Sequence, residues 1–197
     1  MPEKSMVWYF PILILMVYLT AACTNQPAEL PEHGITPRDR TGVTELDNVI
    51  AIVMGGRRNE LQSILGFTQT ECTLAEGLGG PPKCLEGEAD GTPVEVLPIL
   101  GPEGHFIRKE GIDAWEGLNL SELFAAYQVS DSAYSDENYP AGDYALVFID
   151  AEAKDASITL QVKDGKIVRI DYRFGNPPAI TPDDVEKYLV MPPNLVP

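Results

Sequence analysis

Apolar positions recur along this chain with two different periods, and each period predicts a different kind of element. Leu46, Val49, Ile50, Val53 and Met54 fall on one helical face behind Thr44 as a capping residue, with the acid Asp47 three places on. Gly55-Gly56 ends that helix, and Leu61, Ile64 and Leu65 repeat the pattern in a second short helix closed by Gly66. Together they predict a helical hairpin with a narrow apolar stripe. Such a stripe needs a sheet to cover it.

The later chain supplies that sheet. Residues 94–100 are apolar but interrupted by Pro98 and preceded by Pro93, which predicts an edge strand. A turn over 101–104 leads to a return strand over 105–109. Asn119 and Glu122 have capping-box spacing, and Leu120, Leu123, Phe124 and Tyr127 share a helical face, so a middle helix is expected there. Residues 144–149 are apolar on both faces and predict a central strand. Ile158, Leu160 and Val162 alternate with polar residues, as do Val168, Ile170, Tyr172 and Phe174. A two-residue turn at Asp164-Gly165 would set Leu160 opposite Arg169 and mix the faces. A three-residue loop, Lys163-Asp164-Gly165, instead sets Leu160 opposite Val168 and Ile158 opposite Ile170. Thr181-Pro182-Asp183-Asp184 reads as the start of a short last helix, stopped by Pro192-Pro193.

Residues 44–197 therefore predict one α+β domain, a helical hairpin packed on a curved antiparallel sheet. The element order over 44–174 resembles the NTF2-like cone, in which a curved sheet wraps a helix around a pocket. That resemblance implies a site able to host hydration, isomerisation or cyclisation. Residues 76–84, Glu-Gly-Leu-Gly-Gly-Pro-Pro-Lys-Cys, are similar to a segment of uncharacterised secreted bacterial proteins, which implies no activity.

The beginning of the chain follows a different rule. Lys4 precedes residues 6–22, which carry no charge, and Ala21-Ala22 lead directly into Cys23. A positive start, an apolar run and small residues make a secretion signal rather than a fold element. A transmembrane span would need about 20 apolar residues, and this run holds 17 with Pro11 inside it. Leu19-Thr20-Ala21-Ala22-Cys23 resembles the lipobox of bacterial lipoproteins. The resemblance implies that residues 1–22 are removed, that Cys23 carries lipid, and that the protein sits on the extracytoplasmic face of a membrane. Thr24 is not the aspartate that resembles an inner-membrane retention signal, so in a cell with two membranes the outer one is expected. Residues 23–43 are rich in proline and free of aromatics, and read as a flexible tether.

Cysteine usage agrees with that compartment. With Cys23 acylated, Cys72 and Cys84 remain as a pair around a Gly- and Pro-rich loop, and a structural disulfide is expected. Their spacing is not C-x-x-C, and His33 and His105 lie far off in sequence, which disfavours zinc. The net charge of −16 argues against nucleic acid and against lying flat on anionic headgroups. Attachment is therefore expected to rest on acyl chains.

No nucleophile elbow, H-E-x-x-H, P-loop or dinucleotide fingerprint occurs. No catalytic set, metal site or cofactor is expected. His105 reads as a solvated turn residue. Residues 131–143 gather Asp131, Asp136, Glu137, Asn138 and Asp143, an oxygen density that would suit calcium, although the spacing is not that of an EF-hand. The same loop offers Tyr134, Asp136, Glu137 and Tyr139 as a candidate surface for a sugar or peptide, with Trp115 as a further stacking residue; the bland alternative is a solvated loop and packing aromatics. Two classes of function stay open: a binding module for an envelope protein or small ligand, and a small-pocket enzyme.

Overall fold

The structure, a computed structural model, describes residues 40–75, 80–102, 104–153, 155–175, 178 and 180–195. The expected leader, Cys23 and most of the tether lie outside the described residues. Among the described residues no helix is long and apolar enough to cross a membrane.

The fold is α+β: two α-helices and an eight-stranded mixed sheet, with a Cys72–Cys84 disulfide. Helix α1 (Thr44–Gly55) buries Leu46, Val49, Ile50 and Val53, the residues its period selects. Its N-terminus is closed by Asp47, whose Oδ1 accepts from the Thr41 amide at 2.7 Å and hydroxyl at 2.8 Å. Gly56 ends it at φ 67°, a conformation glycine adopts without penalty. Helix α2 (Arg58–Ser63) follows.

The strands are β1 (Thr68–Glu71), β2 (Pro93–Leu100), β3 (His105–Arg108), β4 (Leu120–Val129), β5 (Tyr144–Asp150), β6 (Ala156–Lys163), β7 (Lys166–Phe174) and β8 (Val185–Val190). They lie in the order β1-β2-β7-β6-β5-β4-β8, with β3 on β2. Residues of α1 and α2 share one core with Leu97, Leu146, Phe148, Leu160, Val162, Ile167 and Ile170 from the helix-side face of the sheet. The opposite face is also covered, over β4 and β5 by Ile180, Val185 and Tyr188, and over β2 by the disulfide.

Five expectations need correction. The sheet is mixed rather than antiparallel, because β2 and β7 pair in parallel at Ile99–Leu100 against Ile170–Asp171. Strand β2 is also no edge. Val96 pairs with both Thr68 and Arg108, and Ile99 with both His105 and Ile170, so β2 is flanked on both sides. Its prolines are tolerated because Pro93 is the first residue and Pro98 falls between the stretches bonded to β1 and to β7.

The expected middle helix is strand β4. It is buried on both faces, Leu123 and Ala126 toward the helices and Phe124, Ala125 and Tyr127 away from them. Irregularities at Leu120/Glu122 and Leu123/Ala125 break strict alternation, and the surviving apolar spacing imitates a helical period. The expected last helix is a single 3-10 turn, Pro182–Asp184, followed by β8 along β4. Thr181-Pro182 starts a helical turn as its chemistry dictates, and Val185–Val190 then completes the sheet.

The β6–β7 hairpin turns over two residues, Asp164 at φ 50° and Gly165 at φ 68°. An extra residue was needed to keep the faces apart, but it enters as a bulge at Gln161/Val162 instead of in the loop. Leu160 thereby pairs with Ile170 and Ile158 with Tyr172.

Candidate functional site

Between β5, β6 and β7 and the strap that enters β4 lies a cavity of about 340 Å³. Its floor is apolar: Ile99, Ile158 and Ile170 from three strands. These side chains project toward the helices because each strand's alternation assigns its even or odd residues to that face. Trp115, Gly117 and Leu118 form the wall. A 3-10 segment, Lys109–Ala114, delivers Trp115 there, and α2 holds that segment through Gln62, whose Nε2 donates to Asp113 Oδ1 at 3.1 Å. Gly117 lets the strap pass over Leu61 at φ 97°, where a Cβ would already touch Leu61 Cδ2 at 3.5 Å.

One end of the cavity is polar. Asp150, the last residue of β5, is 8% exposed. Its Oδ1 accepts from the Glu152 and Ala153 amides, both at 2.8 Å, which fixes the carboxylate as the cap of the following turn. Its Oδ2 accepts from the Tyr172 hydroxyl at 3.3 Å. The Tyr172 phenol is raised above its usual range, first by burial and then by the charge of Asp150. Asn119 and His105 also line the cavity, His105 as an exposed residue at its rim.

The loop singled out by its acids and tyrosines sits on the other face of the sheet. Arg169 and Asp171, 2% exposed each, stand side by side on β7 there. Arg169 donates to Asp171 through Nε at 2.6 Å and Nη2 at 3.0 Å, and through Nη1 to the carbonyls of Tyr134 at 3.0 Å and Tyr139 at 2.8 Å. Gln161 completes the group, donating to Asp171 and accepting from the Gly142 amide at 3.1 Å. The loop is thus fastened by its backbone to a buried charge pair. Asp136 organises it from within: Oδ1 accepts from the Asn138 and Tyr139 amides and Oδ2 from the Tyr134 hydroxyl. That Tyr134 bond is the first cause of a lowered Asp136 pKa.

Tyr134, Asp136 and Tyr139 are therefore one neighbourhood, whereas Trp115 belongs to the cavity on the helix side. Tyr139 is buried and stacks on Phe106 at 5.3 Å. Glu137 is exposed. The loop's carboxylates do not converge. Among the described residues the one group with metal-ligand spacing is Cys72, Cys84 and Glu88, and its two sulfurs are bonded to each other. A disulfide offers no thiolate to a metal.

Of the cavity's polar residues, Asn119 read in the sequence only as a helix cap, Tyr172 only as a strand position and Asp150 not at all. Asp150-Ala151-Glu152 reads as an ordinary polar turn after an apolar strand, and only the pairing of β5 with β6 and of β6 with β7 brings it beside Tyr172.

No known protein family, characterised protein or solved structure matches this chain.

Proposed function

We propose that this protein is an envelope lipoprotein, held to its membrane by acyl chains on Cys23, whose folded domain takes up a small ligand in the cavity beside Trp115. The observation that carries the binding role is the cavity itself. It is concave, floored by three isoleucines, walled by an aromatic residue and furnished with few, convergent polar groups, the usual build of a small-molecule site. The Cys72–Cys84 bond supports an extracytoplasmic home, since such bonds are rare where thiols are kept reduced. The acidic composition supports attachment through lipid rather than through a basic surface.

Trp115 and Trp8 are the chain's tryptophans, so the mature protein, with residues 1–22 removed, has a single emitter in the cavity wall. Titration with the neutral apolar dye N-phenyl-1-naphthylamine should then give saturable energy transfer from Trp115. Gly101→Leu tests the location, because a Cβ there meets only Tyr172 Cβ at 4.0 Å and the longer side chain occupies the cavity. Loss of transfer in that variant is the expected result. Transfer that does not saturate, or survives Gly101→Leu unchanged, contradicts the site.

An enzymatic reading of NTF2-like type has one observation in its favour: a buried carboxylate, Asp150, and a histidine, His105, line the same cavity. It carries less, because residues 120–127, on whose helical character the resemblance leaned, lie in strand β4.

A further inference from the structure

We infer that the cavity beside Trp115 selects a small organic cation, a primary amine on an apolar or aromatic body, with the ammonium group seated against Asp150. This rests on the cavity being a ligand site and goes on to name the chemistry it takes.

Charge points first to this ligand. Among the described lining residues Asp150 is the one acid, and there is no lysine or arginine. The side chains just outside add to the negative field. Glu152 accepts from Asn119 Nδ2 at 3.0 Å at the same end, and Glu152 and Asp155, with Asp150, all act on the Tyr172 hydroxyl in the direction of negative potential. A carboxylate-bearing ligand would meet repulsion there.

Hydrogen-bond accounting points the same way. A carboxylate has about four acceptor positions. Asp150 uses two on Oδ1 for backbone amides and one on Oδ2 for a single bond of 3.3 Å from Tyr172. That leaves Oδ2 able to accept a shorter, charge-assisted bond from a donor entering the cavity. An ammonium group brings three donors, and the neighbouring Tyr172 oxygen can accept a second.

Shape supplies the remainder. Ile99, Ile158 and Ile170 give the body of the ligand a dry floor, and Trp115 offers an aromatic wall of the kind that holds cations as well as apolar rings. The volume, about 340 Å³, lies at the small end of ligand pockets, which limits the occupant to a compact molecule.

The test uses the mature lipidated protein, residues 23–197, in neutral detergent at pH 7 and low salt, with Trp115 emission as the readout. Three probes share one body and differ in charge: 2-phenylethylamine, 2-phenylethanol and phenylacetate. The amine should bind at least about tenfold more tightly than the alcohol, equivalent to about 1.4 kcal/mol, and phenylacetate should not bind. Asp150→Asn should bring amine and alcohol to equal affinity. The probe series is run on the unaltered site, so the outcome does not depend on the variant folding. Equal binding of amine and alcohol by the unaltered site overturns the cation assignment and leaves the ligand site standing. If none of the three probes binds, and the neutral dye also fails, the site itself is lost and this assignment with it.

Discussion

Arg169 and Asp171 lie two residues apart on one face of β7 and close a two-point ion pair, 2.6 and 3.0 Å, with almost no access to solvent. The pair is the fastening for the loop between β4 and β5, since the remaining guanidinium nitrogen is spent on the Tyr134 and Tyr139 carbonyls. Removing one partner leaves a buried charge and two unfilled carbonyls. Arg169→Met should therefore lower unfolding free energy by about 3–5 kcal/mol, read by urea denaturation. Arg169→Met combined with Asp171→Leu should lose less than Arg169→Met alone, because no isolated charge remains. A double variant as unstable as the sum of two single losses would contradict this.

Gly142 shows how closely that loop approaches the sheet. A Cβ at this position would stand 2.5 Å from the Val162 nitrogen and 2.7 Å from its oxygen. Both are backbone atoms that no rotamer can move. Gly142→Ala should cost at least about 1–3 kcal/mol through overpacking, measurable by thermal unfolding. Gly55→Ala, where nothing lies within 4 Å, serves as the control and should be neutral or slightly stabilising.

Cys72 and Cys84 enclose a segment with a sequence separation of 12 and are themselves buried. Replacing both by alanine should cost roughly 3 kcal/mol on the chain-entropy account, and denaturation with and without reductant should show the same gap. Leu74 and Leu85 are more than half exposed near this bond. Their replacement by serine should leave stability unchanged, since neither contributes to the core.

Acid sensitivity should come from Glu88. Arg108 grips it with bonds of 2.7 and 2.8 Å, and this contact, followed by the Leu85 amide, holds the Glu88 pKa at about 2 against an ordinary 4.5. A carboxylate whose folded pKa is depressed stabilises fully above its unfolded pKa and loses that contribution as pH falls through the folded one. The junction of the disulfide segment with β3 should thus hold above pH 4.5 and loosen progressively between pH 4.5 and 2. Hydrogen exchange of the Cys72 and Cys84 amides across that interval reads the change. Glu88→Gln should show little dependence on pH there.

The sequence made local elements legible wherever one period ruled alone. Helix α1, strand β5 and the β6–β7 hairpin answer to patterns that a single buried face, or complete burial, imposes. It misled where two faces were buried at once. In β4, Leu123 and Phe124 serve different cores, and adjacent apolar residues there mimic a helical stripe. Register in the hairpin was constrained but not located: the need for one extra residue was readable, whereas its entry as a bulge at Gln161/Val162 was not. The cavity was invisible for a related reason. Ile99, Asp150, Ile158 and Tyr172 come from four strands, and only the successive pairing of β5, β6, β7 and β2 gathers them.

The placement of the molecule can be tested in one step, by measuring the intact mass of the mature protein from membranes of native cells. A mass equal to residues 23–197 plus a thioether-linked diacylglycerol is the result this account predicts. A chain that retains residues 1–22, or one that starts at Cys23 with an unmodified thiol, would contradict it.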